Sequence, residues 1–160
     1  MARNETRKTR EARALRARVQ RFVRSFGLLA GDITPCGEPL PVSYAHALMI
    51  LDARPAGRDA PTMRELAEEL GIDKSNVTRL CGRMQEGGHL ETRRCRRDGR
   101  VRRLVLTAEG RKLAKQVDRS SRRRFERLLS QLPTEHRGEL LRGLDILTEA
   151  ARLTLTEDTS

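Results

Sequence analysis

Aromatic residues are scarce. Among 160 residues there are one Tyr, three Phe and no Trp. Proteins that hold single-stranded nucleic acid stack its bases on aromatic side chains, so this composition argues against that class. Long apolar runs are also missing. The longest, Ala47 to Leu51, falls far short of the roughly 20 residues that span a bilayer. No apolar stretch follows the charged N-terminal residues, so no secretory signal and no membrane partner are expected, and the default location is cytoplasmic. Cysteine is limited to Cys36, Cys81 and Cys95, with no CxxC pair and one thiol left over, which suits reduced thiols and no disulfide framework. P-loop, GxGxxG, HExxH and GxSxG patterns are absent, and three scattered His offer no triad, so neither an enzyme nor a cofactor is expected. Lysine is rare as well, with four of the 33 basic residues.

Arginine is what the chain has in quantity. The net charge of +11 raises the expectation of a polyanionic partner, nucleic acid above all. That charge has two foci. Residues 1–24 carry +7, residues 25–61 carry −2, residues 62–106 carry +4 and residues 107–160 carry +2. The length suits one domain with helical extensions.

The periodicity gives the order of elements. Leu15, Val19, Phe22, Phe26 and Leu29 recur at steps of four and three, predicting a basic helix over 8–30 with one thin apolar stripe that needs a partner helix. Tyr44 to Ala53 is short, apolar and helical. Thr62 with Glu65 three residues on is a capping box for a helix that Gly71 ends. Asp73 caps the next helix, to about Glu86, with Val77, Leu80, Cys81 and Met84 on its apolar face. His89–Arg94 and Arg103–Leu106 flank an Asp98-Gly99 turn and predict a hairpin. Thr107 caps a helix to about Leu132. Thr134 is expected to cap a last one, with Leu140, Leu141, Leu144, Leu147 and Ala151 as its buried row and residues 156–160 as a flexible tail.

Two short helices joined by a Gly-containing turn, then a basic hairpin, form the winged helix-turn-helix order. A duplex major groove admits one helix and shows it distinct base edges. Lys74, Ser75, Asn76, Thr78, Arg79 and Arg83 lie on the polar face of the second helix. Lys74 and the free N–H groups of that helix's first turn favour a phosphate. Seven Arg fall among the eleven residues from Arg93 to Arg103. Flexible Arg at a hairpin tip suits a narrow, electronegative minor groove, which makes Arg96, Arg97, Arg100 and Arg102 the wing candidates and Asp98 an organiser of Arg100.

The stretch from Leu66 through Leu-Gly-Ile-Asp-Lys-Ser-Asn-Val-Thr-Arg to Leu80 resembles the helix-turn-helix of the MarR family. So do Met84 to Glu91, Asp98-Gly-Arg100 and Leu104 to Gly110, which together confine the motifs to residues 62–110. Gly82 and His89 depart from that pattern. The resemblance implies a mostly α fold with a small β-hairpin wing. The winged lobe would span 44–106, and a helical dimerisation lobe would form from 8–30 and 107–155. It implies a homodimeric regulator of double-stranded DNA that represses nearby genes until a small phenolic effector or oxidation relieves it. By position it puts Ser75, Asn76, Thr78 and Arg79 in the major groove and Arg100 in the minor groove. Phe26, Tyr44 and Leu48, where the first helix meets the short one, are candidate pocket residues. Two alternatives stay open: a non-specific architectural DNA-binding protein, and a thiol-based sensor using Cys36 or Cys95. Cys36, Glu38 and His46 match no standard metal spacing, and no metal is expected.

Overall fold

The structure is a computed structural model that describes residues 6–29, 31–54, 60–95 and 100–157. Among the described residues, six helices and one hairpin follow in the order α1 (Arg7–Phe26), α2 (Val42–Ala53), α3 (Met63–Leu70), α4 (Lys74–Glu86), β1 (Leu90–Arg94), β2 (Arg102–Leu106), α5 (Ala108–Ser130) and α6 (Arg137–Glu157). A single 3₁₀ turn, Thr134–His136, precedes α6. The chain divides into two units, residues 1–121 and 122–160.

The first unit is built around α2. This helix is apolar nearly all round, and such a helix belongs inside a core. Tyr44, Ala45, Ala47, Leu48 and Leu51 are all buried. Leu66 of α3, Val77, Leu80 and Met84 of α4, Leu104 and Leu106 of β2, and Ala114 and Val117 of α5 complete the cluster. Truncating a fully buried Leu such as Leu48 or Leu80 to Ala would cost about 2–5 kcal/mol.

Local chemistry sets the ends of the elements. Thr107 caps α5: its hydroxyl accepts from the Gly110 N–H (3.0 Å) and donates to the Gly88 carbonyl (2.6 Å). The α1 helix stops at Phe26, short of the residue 30 that periodicity suggests, because Gly27 adopts φ +85° and closes it with a left-handed cap. Thr134 does not cap α6. It opens the 3₁₀ turn behind Pro133, and α6 starts three residues later. That helix runs to Glu157, two residues into the segment read as a tail.

The apolar stripes outside the core remain open in the single chain. In α1 no residue is buried, and Leu15 and Phe22 are about half exposed, at 49% and 51%. In the second unit Phe125, Leu128, Leu129, Leu140, Leu141 and Leu144 are exposed too, so the row expected to be buried along α6 faces outward. Among the described residues no helix is long and apolar enough to cross a membrane.

Candidate nucleic-acid interface

The interface begins with two caps. At the start of α3 the Thr62 hydroxyl accepts from the Glu65 N–H (3.2 Å), and the Thr62 N–H donates back to the Glu65 carboxylate (2.6 Å). Gly71 then turns the chain at φ +64°, where a side chain would be strained, and its N–H closes on the Ala67 and Glu68 carbonyls. Two residues later the Asp73 carboxylate accepts from the Asn76 N–H (2.8 Å) and caps α4. These caps set where α3 begins and ends and where α4 begins.

Burial of Val77, Leu80, Cys81 and Met84 decides which face of α4 is left outside. Lys74, Ser75, Asn76, Thr78, Arg79 and Arg83 are all exposed. Several are already engaged. The Ser75 hydroxyl donates to Asp73 Oδ1 (2.7 Å), and the Thr78 hydroxyl donates to the Lys74 carbonyl (2.7 Å). Asn76 Nδ2 donates to Asp73 Oδ2 (2.5 Å), and Arg79 Nη2 donates to Asn76 Oδ1 (2.5 Å). The Ser75 hydroxyl, then the Asn76 backbone N–H, hold the Asp73 carboxyl below the usual carboxylate range. An open cleft of about 620 Å³ runs beside this face, lined in part by Ser43, Ile72, Asn76, Arg79, Arg83 and Glu86.

The wing is an antiparallel pair in which Leu90 faces Leu106 and Arg94 faces Arg102. It is tied to both helices. Gln85 of α4 donates to the Thr92 hydroxyl (2.9 Å). Leu104 N–H donates to the Pro61 carbonyl (2.8 Å). Arg103 donates through Nη1 to the Ala60 carbonyl (2.9 Å) and to Glu65 (3.1 Å). Arg100 and Arg102 are exposed, whereas Arg96, Arg97 and Asp98 lie outside the described residues. Of the seven wing arginines, Arg103 is therefore a brace, a role its sequence surroundings do not signal.

The remaining candidates are placed as follows. Phe26 stacks on Phe22 at 5.1 Å between ring centroids. Leu48 is wholly inside the core. Tyr44 is buried, and its hydroxyl pairs with His89 Nδ1 at 2.6 Å. A second cleft, about 390 Å³, is lined by Asp52, Arg54, Arg93, Arg111 and neighbouring apolar residues, with none of the three pocket candidates among them. Burial pushes the Cys81 thiol up to about 11, which suits a core residue. Cys36 lies beside the Thr34 hydroxyl at 3.0 Å. Glu38, almost fully buried, receives hydrogen bonds from Gln116 (2.8 Å) and Ser120 of α5. That latch spans about half the chain and has no local signature.

A capped helix-turn-helix followed by a braced basic hairpin defines a winged helix-turn-helix protein. Residues 39–101 match the model of the MarR family. Solved structures share the fold. The PcaV transcriptional regulator of Streptomyces coelicolor, in complex with its natural ligand, is 23% identical, with 86% of this chain and 91% of that one covered at a TM-score of 0.62. Staphylococcus aureus MepR in complex with DNA is 19% identical, with 91% and 98% covered at 0.62. Streptococcus pneumoniae FabT in complex with DNA is 21% identical, with 96% and 99% covered at 0.63. At these identities the likeness is one of fold. No curated protein matches the chain.

Proposed function

We propose that this chain is a sequence-specific, double-stranded DNA-binding transcriptional regulator that works as a homodimer in the cytoplasm. The observation that carries the reading is α4 itself: its apolar face is locked into the core while Lys74, Asn76, Arg79 and Arg83 are all presented outward beside an arginine-rich wing. A helix so presented fits a major groove, and the wing's arginines fit the flanking minor groove. MepR and FabT, which share the fold, have been solved on DNA.

The homodimer reading rests on the open apolar faces of α1 and α6, since monomers rarely leave such rows to water. Residues 8–30 and 107–155 would supply the dimer lobe, and 44–106 the DNA-reading lobe. Two-fold symmetry would place the recognition helices about one helical turn, ~34 Å, apart on a pseudo-palindromic operator. Repression relieved by a small molecule is the finer reading. PcaV, of the same fold, was solved with its natural ligand.

The test is selection of bound fragments from genomic DNA by the full chain, followed by competition with random duplex. Recovery of one pseudo-palindromic sequence supports the reading. Equal binding to every fragment would make the protein an architectural one.

A further inference from the structure

We propose that Arg79 is the guanine-reading residue of α4 and that Asn76 positions it instead of reading a base. This rests on the reading of α4 as the helix that enters the major groove.

Asp73, Asn76 and Arg79 stand three residues apart on one helical face, and their side chains form a single hydrogen-bonded relay. Asp73 Oδ2 accepts from Asn76 Nδ2 at 2.5 Å, and Asn76 Oδ1 accepts from Arg79 Nη2 at 2.5 Å. An amide reads adenine by presenting its donor and its acceptor together to N6 and N7. Here the donor is turned back to Asp73 and the acceptor runs along the helix to Arg79, so the two are not offered side by side. The amide is a link between a carboxylate and a guanidinium.

The neighbouring hydroxyls are committed as well. Ser75 has given its proton to Asp73, and Thr78 has given its proton to the Lys74 carbonyl. In that state neither has a proton left for a phosphate oxygen or for guanine O6 and N7, which only accept. Guanine must be read by a donor fork. Arg79 supplies one: a guanidinium carries five N–H groups, and among the described residues its one hydrogen bond goes to Asn76. Held at one corner, the planar fork loses less freedom on docking than an unheld side chain would. Arg83 is a turn further on. It lies farther from the helix N-terminus, the part that meets base edges in helix-turn-helix proteins.

The experiment is a base-preference profile. The wild-type chain, Arg79→Ala and Asn76→Ala are each run through random-site selection, and the selected operator is then titrated with every base pair replaced in turn. Both changes sit on exposed positions. The expected wild-type profile contains a G·C pair in each half-site whose replacement costs roughly 5- to 150-fold in affinity. Arg79→Ala flattens the preference at that pair and leaves other positions intact. Asn76→Ala weakens the preference at the same pair and flattens no A·T position. A guanine preference that survives in Arg79→Ala overturns the assignment. An A·T position lost only in Asn76→Ala makes Asn76 a reader and overturns its positioning role. A wild-type chain that selects no sequence removes the regulator reading and this inference with it, and that failure is recognisable because it precedes any comparison of variants.

Discussion

Arg103 on β2 donates to the carboxylate of Glu65 in the first turn of α3, 3.1 Å away, while its other hydrogen bond holds the Ala60 carbonyl. The wing and the helix-turn-helix are thus braced through one guanidinium. Arg103→Ala removes both contacts. The expected loss of stability is about 1 kcal/mol, mostly from the carbonyl bond, since a half-exposed ion pair contributes little. Operator affinity should fall further than stability does, because the wing loses its brace on α3. Urea unfolding beside fluorescence anisotropy separates the two.

Glu65 also sets an acid limit. The Thr62 backbone N–H, then the Thr62 hydroxyl and, to a smaller extent, Arg103 hold its carboxyl below the ordinary 4.5. A carboxyl depressed in the folded state stabilises the fold fully above its ordinary value. That contribution is lost as pH falls through the lower, folded value. Glu65→Gln should therefore be less stable at pH 7 and show a shallower loss of stability below about pH 4.5. Urea midpoints across that range check it.

Tyr44 gives the opposite limb and a clean signal, being the one Tyr in a chain without Trp. Burial raises its phenol above 10.0, against a smaller downward pull from Arg83. Ionisation is then harder in the folded chain than in the unfolded one. Stability is complete below pH 10.0 and declines as pH climbs past it. Absorbance titration should show the folded phenol ionising above 10.0 and the urea-unfolded phenol near it.

Two glycines should respond oppositely to Ala. A Cβ on Gly110 would lie 2.0 Å from the His89 carbonyl oxygen, so Gly110→Ala must push α5 off the loop that joins α4 to the wing. A loss of about 1–3 kcal/mol or more is expected. Gly82 lies inside α4 with nothing within 4 Å of such an atom. Gly82→Ala should add up to about 1 kcal/mol and leave operator affinity alone. Thermal melts of both variants test the pair.

Arg100 stands exposed at the end of the wing next to β2. Arg100→Ala should weaken operator binding and leave the dimer intact, as judged by gel shift and light scattering.

What could be read in the sequence follows the range of the interactions. Thr62 with Glu65, Gly71, and Asp73 with Asn76 act across three or four residues, and each was legible as a cap. The core face of α4 was legible from its period. Thr134 misled because a Thr after Pro also opens a 3₁₀ turn. Arg103 with Glu65, Tyr44 with His89, and Glu38 with Gln116 join residues tens of positions apart, and no local pattern marks them. The polar face of the helix and the family resemblance put Ser75, Asn76 and Thr78 toward the groove; neither reveals the hydrogen bonds these side chains make along the helix.

The central claim is sequence-specific binding through α4. The most direct measurement is the affinity of the full chain for its selected operator against random duplex of equal length, at ~0.15 M salt. The account predicts a preference on the order of 10³ or more, reduced but not abolished when Arg79 is replaced by Ala. Equal affinity for the two duplexes would contradict it.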